Sequence, residues 1–144
     1  MYQHILIPTD GSELVKTAVE TAVRLAKTLG AKVSVMSVKE PFPYSVIYEM
    51  QPIPPQEFLD AQERQAQGRV KLAQDACQAA GVPHLGYTVE ADHPWEAIID
   101  FAKTNVCDLI VMASHGRRGV SALLLGSETQ KVLTHSKIPV LVVR

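Results

Sequence analysis

Metal and disulfide chemistry have little to work with in this sequence. Its 144 residues hold two cysteines, Cys77 and Cys107, which have no metal-ligand spacing and suggest no disulfide framework. Both read as small core or near-surface residues rather than nucleophiles. His4, His84, His93 and His135 are scattered without the spacing of a metal site. No apolar run approaches the length of a membrane span. The N-terminal Met-Tyr-Gln-His-Ile-Leu-Ile-Pro lacks the basic-then-apolar layout of a signal peptide, so the expectation is a cytoplasmic protein without a membrane partner. A net charge of −1 projects no broad field toward nucleic acid, which is not expected as a partner. There is also no Gly-Lys-Ser/Thr phosphate loop.

What charge there is lies unevenly. Residues 111–144 carry Arg117, Arg118, Lys131, Lys137 and Arg144 against Glu128 alone, a formal +4, which leaves −5 for the first 110 residues. A locally basic end in a near-neutral chain suits a small anionic ligand. The same region holds the stretch that organises the sequence. Leu109 to Ala113 reads as a buried strand and breaks into a loop with Gly116, Arg117, Arg118 and Gly119. Gly126-Ser127 then opens a helix running to His135. Glycines let backbone N–H groups converge on an anion, and a helix start adds unpaired donors and the positive end of its dipole. Arginines add charge-assisted bonds. The order strand, glycine loop, basic pair, helix start predicts a phosphate site.

The rest of the chain alternates strands and helices. Residues 2–8, centred on Ile5-Leu6-Ile7, form a first strand whose continuous hydrophobicity predicts cover on both faces. Ser12 is placed to cap a helix with Leu14, Ala18, Ala22, Leu25 and Leu29 on one face, stopped at Gly30. Ala31 to Val38 is the second strand. Residues 41–56 hold five of the nine prolines with Phe42, Tyr44 and Tyr48, and predict a loop, either a flap over a ligand or a loop tacked to the surface. A helix from Gln56 to Ala80, interrupted at Gly68, leads to a strand over Leu85–Glu90. Pro94 starts the next helix, with Trp95, Ile98, Ile99 and Ala102 facing inward. Ser127 to Gln130 has the form of a capping box, and Pro139 to Val143 is the fifth strand. Five strands alternating with four helices predict one α/β domain over residues 1–144 with an open parallel sheet. Ligands of such sheets sit beyond the carboxyl ends of the strands. The glycine loop follows strand four and the turn Thr9-Asp10-Gly11 follows strand one, so the two share a crevice if those strands are neighbours.

At this point the sequence resembles the universal stress protein family. The likeness rests on Ile5-Leu6-Ile7-Pro8-Thr9-Asp10-Gly11-Ser12, on Cys107-Asp108-Leu109-Ile110-Val111-Met112, on Ser114-His115-Gly116-Arg117-Arg118-Gly119, on Leu123-Leu124-Leu125-Gly126-Ser127 and on Ile138-Pro139-Val140-Leu141-Val142-Val143. The nucleotide-binding branch of that family carries Gly-x2-Gly-x9-Gly-Ser/Thr. Here Gly116, nine residues and Gly126-Ser127 match it, while the first position is Ala113. The resemblance implies a Rossmann-like five-stranded parallel sheet of order 3-2-1-4-5 with helices on both faces. It implies ATP or AMP as bound ligand, with Mg2+ admissible alongside ATP. Pro8, Thr9, Asp10 and Val38 would face base and ribose, and Met112 and Ala113 would lie under the ribose. Gly116, Arg117, Gly126, Ser127 and the backbone of Glu128 would hold phosphate, with His115, Arg118 and Gly119 in the same loop. Family members pair through the last strand, which here would make a homodimer along Val140–Val143.

Several residues have a plainer reading beside the functional one. Asp10 either contacts ligand or caps its own turn, and Ser127 caps the helix on either reading. His115 packs or bonds beside the loop, and Arg117-Arg118 are either phosphate ligands or a solvated pair. Asp108 caps or salt-bridges. As function, the sequence supports a nucleotide-dependent dimeric switch in stress response or regulation. The alternatives are a slow ATPase, for which no acidic residue stands in the glycine loop, and an interaction module of the same family without nucleotide. Ala113 alone points to the last.

Overall fold

The computed structural model describes residues 1–42, 55–115 and 125–144. Five strands, β1 (His4–Pro8), β2 (Lys32–Lys39), β3 (His84–Glu90), β4 (Leu109–Ala113) and β5 (Val140–Val143), pair in parallel in the order β3-β2-β1-β4-β5. The expected sheet is the observed one. Four helices connect them: α1 (Glu13–Leu29), α2 (Gln56–Ala80), α3 (Pro94–Thr104) and α4 (Ser127–His135). No helix among the described residues is long and apolar enough to cross a membrane.

Alternation along the central strands divides the core into two layers. Ile5, Ile7, Val33, Val35, Leu109, Val111 and Ala113 face α1 and α2, while Leu6, Met36, Ile110 and Met112 face α3 and α4. Both faces are therefore covered, which is why β1 and β4 read as unbroken apolar runs. On α1 the buried stripe is Val15, Ala18, Val19, Ala22, Val23 and Ala26, and Leu14 is 47% exposed rather than inward. Small and β-branched residues suit the slot between the sheet and α2, and Leu25 and Leu29 pack at its rim. Gly68 does not interrupt α2, which runs unbroken from Gln56 to Ala80. A mid-helix glycine costs about 1 kcal/mol against alanine, and burial of Ala66, Val70, Ala73 and Cys77 along the same helix outweighs it.

Two features place the carboxyl end of the sheet. The β1–β2 ladder stops at Pro8↔Met36, whereas β2 and β3 stay paired to Lys39↔Glu90. The upper half of α2 packs on that extension, where Lys39 Nζ lies 2.6 Å and Thr88 Oγ1 2.9 Å from the Glu63 carboxylate. The result is a wall rising beside the end of β1. Gly86 lets α2 lie close to the edge strand: a Cβ there would stand 2.5 Å from Val70 Cγ1 and 2.7 Å from the Gln74 amide.

At the opposite, amino end, Asp108 accepts from the backbone N–H groups of Gln3 (2.8 Å) and His4 (3.0 Å), so it caps a distant strand start instead of its own segment. His4 is buried, with Nε2 2.7 Å from Ser34 Oγ and its ring 3.7 Å from Cys107 Sγ. Burial pushes the thiols of Cys77 and Cys107 up to about 11, so both stay protonated as core residues. Burial, and then the charge of Lys32, holds the His4 imidazole below its ordinary 6.5.

Gly86→Ala is expected to destabilise the fold by about 1–3 kcal/mol, because stiff Val70 must move, as read by urea denaturation. For His4 the unfolded chain takes up a proton before the folded one. Its contribution is therefore whole above pH 6.5 and falls as pH drops below it. Denaturation between about pH 7.5 and about pH 5.5 should show a larger loss for the wild-type chain than for His4→Gln.

Candidate functional site

The neighbouring strands β1 and β4 end side by side, so the described segments that follow them, residues 9–12 and 114–115, leave from the same edge of the sheet. On the β1 side, Thr9 N–H donates to the Met36 carbonyl at 2.8 Å and Thr9 is buried. Thr9 Oγ1 accepts from Gly11 N–H at 3.2 Å and Asp10 Oδ1 accepts from Ser12 N–H at 2.9 Å. Asp10 thus caps its own turn, and one carboxylate oxygen is committed there. Ser12 stands at the N-cap of α1 with extended backbone, but its side chain makes no capping bond. Its N–H is already taken by Asp10, and its carbonyl receives Val15 N–H instead. Gly11 completes the turn at φ +76°, where a side chain would be strained. Pro8 is half-buried, and Val38 is half-buried against the α3–α4 layer.

On the β4 side, Met112 and Ala113 point to opposite faces. Met112 joins the α3–α4 layer, and the Ala113 methyl joins the α1–α2 layer with Val143 packed beside it. The methyl that departs from the family glycine is therefore a core group. The Ala113 carbonyl accepts from Thr129 Oγ1 at 2.9 Å, which ties α4 to the end of β4. Ser114 is fixed at both ends of its peptide: its N–H donates to Val143 O (2.8 Å) and its carbonyl accepts from Gly126 N–H (2.7 Å). The chain that leaves at Ser114 thus returns beside it at Gly126. Ser114 Oγ lies 3.0 Å from His115 Nδ1, and the buried His115 Nε2 has no partner among the described residues.

The start of α4 differs from the sequence expectation. Gly126 is the N-cap, with extended backbone and its carbonyl receiving Gln130 N–H at 2.9 Å, so Ser127 is the first helical residue. A capping box needs the hydroxyl at the N-cap, one residue earlier. Gln130 Nε2 turns instead to the Leu125 carbonyl at 3.3 Å. The Glu128 carboxylate accepts from Trp95 N–H at 2.8 Å and so caps α3. What Glu128 offers the crevice is its backbone N–H, one of the first-turn donors that no intrahelical carbonyl can reach.

Of the residues expected at the site, Pro8, Thr9, Asp10, Val38, Met112, Ala113, His115, Gly126, Ser127 and Glu128 all lie at the ends of β1, β2 and β4 or the start of α4. Gly116, Arg117, Arg118 and Gly119 lie outside the described residues, as does most of the proline-rich loop. Sequence reasoning missed Ser114 and Thr129, whose roles depend on bonds to distant backbone, and Arg69 of α2. A Cβ on Gly11 would stand 2.8 Å from Arg69 Cγ. Two surface grooves lie elsewhere, one lined by Glu90, Asp92, His93 and Glu96, the other by Gln67, Gln74 and Gly86, and neither includes a residue expected at the site.

The universal stress protein family model matches residues 1–144. A universal stress protein of Thermus aquaticus, from the region 3′ of a QAH/OAS sulfhydrylase, is 35% identical over the full length of both chains. The solved UspA of Lactobacillus plantarum is 26% identical with a TM-score of 0.83, covering 99% of this chain and 98% of that one. A universal stress protein solved in complex with cAMP is 26% identical with a TM-score of 0.76, covering 99% and 97%. With the same sheet order, and a match that runs from end to end, the chain belongs to the universal stress protein family.

Proposed function

We propose that this chain binds an adenine nucleotide, ATP or AMP, in the crevice between the ends of β1 and β4, and that occupancy sets the state of a homodimer. The observation that carries the reading is the Ser114–Gly126 bond, which brings the end of β4 against the first-turn donors of α4. Pro8, Thr9, Asp10 and Val38 take the base and ribose, and Met112 and the Ala113 backbone underlie the ribose. Gly126, Ser127 and the Glu128 N–H take phosphate, joined by Gly116, Arg117, Arg118 and Gly119. His115 belongs with them: a buried ring nitrogen without a partner among the described residues fits a polar group brought by a ligand. The relative solved with cAMP supports the same class of ligand.

The switch has a short physical route. Ser114 bonds Gly126 on one side and Val143 of β5 on the other. Among the described residues β5 pairs only with β4, leaving Val140–Val143 as the sheet edge, and Leu141 is 38% exposed there. An edge of this kind invites a second copy. Binding without useful turnover fits the two crevice carboxylates, since Asp10 is engaged in its turn and Glu128 caps α3, which leaves neither placed as a base for water. Mg2+ would accompany ATP through its phosphates.

Freshly purified protein, denatured and run on ion exchange against adenine nucleotide standards, should release a near-stoichiometric nucleotide. Gly126→Val should come empty and bind no added ATP or AMP; unchanged affinity would end the reading. Ala113→Gly should leave nucleotide affinity unchanged in calorimetry while destabilising the fold by about 0.5–1 kcal/mol, because the methyl it removes is a core group on a strand. Tighter binding by Ala113→Gly would mean that the methyl reaches the ligand.

A further inference from the structure

Arg69 approaches the crevice from α2, on the face of the sheet opposite α4. Its Cγ, Cβ and Cδ would lie 2.8, 3.5 and 3.6 Å from a Cβ on Gly11, so three methylenes in a row pack over Gly11. The stem is held by this packing, which leaves the guanidinium within a short reach of Gly11 and restricts its rotamers. Two hydroxyls near Gly11 and Thr9 lack partners among the described residues. Ser37 is 1% exposed and follows Met36, whose carbonyl holds Thr9. It shares the α2-facing side of β2 with Val35 and Lys39. Its Oγ, and that of Ser12 next to Gly11, have no hydrogen-bond partner among the described residues. Buried hydroxyls rarely go unpartnered, so these two leave room for a polar group brought by a ligand.

Chemistry says which group that is. Asp10 can only accept hydrogen bonds, whereas each ribose hydroxyl both donates and accepts. A diol held between walls needs a donor facing the carboxylate, and guanidinium is donor only. We propose that Arg69 contacts the ligand, donating to the ribose hydroxyls from the α2 wall while Asp10 accepts from them. The inference rests on the nucleotide reading above and adds to it the group that selects a ribose.

Calorimetry on the full chain with AMP and with 2′,3′-dideoxy-AMP tests it. The wild-type protein should bind AMP about tenfold tighter than the dideoxy analogue. Arg69→Met keeps the stem on Gly11 and loses the donors. It should weaken AMP about tenfold and leave the dideoxy analogue within about twofold, so that the preference disappears. Arg69→Gln serves in the same role if the methionine variant does not fold. A retained preference overturns the inference while the nucleotide reading stands, and so does an equal weakening of both ligands, which would mark a structural role. Wild-type protein that binds neither AMP nor ATP overturns both.

Discussion

The Ser114 peptide makes two hydrogen bonds on which the geometry of the carboxyl edge depends. One, to Val143, keeps β5 paired to the very end of β4. The other, from Gly126, brings the chain back after the glycine loop and starts α4 at the mouth of the crevice. Thr129, in the first turn of α4, adds a third tie, to the Ala113 carbonyl. Together they tie the end of β4 to β5 and to the start of α4 in one corner. A buried carbonyl left without its donor would cost about 1–3 kcal/mol, so the corner is also where the fold is least tolerant of polar loss.

That corner is useful because of where β4 stands. In a doubly wound sheet the direction of winding reverses once, here between β1 and β4, and the loops on either side diverge to opposite faces. The divergence opens the crevice. The uneven strand lengths deepen it: β2 and β3 continue past Pro8, and α2 packs on the extension through Lys39, Glu63 and Thr88. The carboxylates near the crevice are drawn into structural work, Asp10 within its turn and Glu128 on the start of α3. Among the described residues the first-turn N–H groups of α4 meet no such carboxylate bond and keep the positive end of the helix dipole at the end of β4.

Much of the fold was legible because both faces of the sheet are covered. Ile5-Leu6-Ile7 and Leu109 to Ala113 had to be unbroken apolar runs, and helices had to carry one apolar stripe each. Where the stripe went astray it did so by one position: Leu14 lies outside and Val15 inside, a difference set by the width of the slot beneath α2. The start of α4 was misplaced by one residue for a similar reason. Ser127-x-x-Gln130 has the composition of a capping box, but the bond from Gly126 to Ser114 fixes the helix start earlier and leaves Ser127 inside it. Gly68 looked like a break, and burial along the rest of α2 overrides the cost of one glycine.

By itself the sequence determined the α/β class, the alternation of elements, the glycine loop's place after β4 and the residues at the ends of β1 and β4. These follow from local pattern and spacing, which neighbouring residues encode. Only the tertiary structure decided that the Ala113 methyl is a core group, that Glu128 is spent on α3, and that Arg69 lies across Gly11. Each of those depends on a partner far away in the chain. Burial, donor pairing and close approach between such residues arise from packing the layers together, and no local periodicity records them.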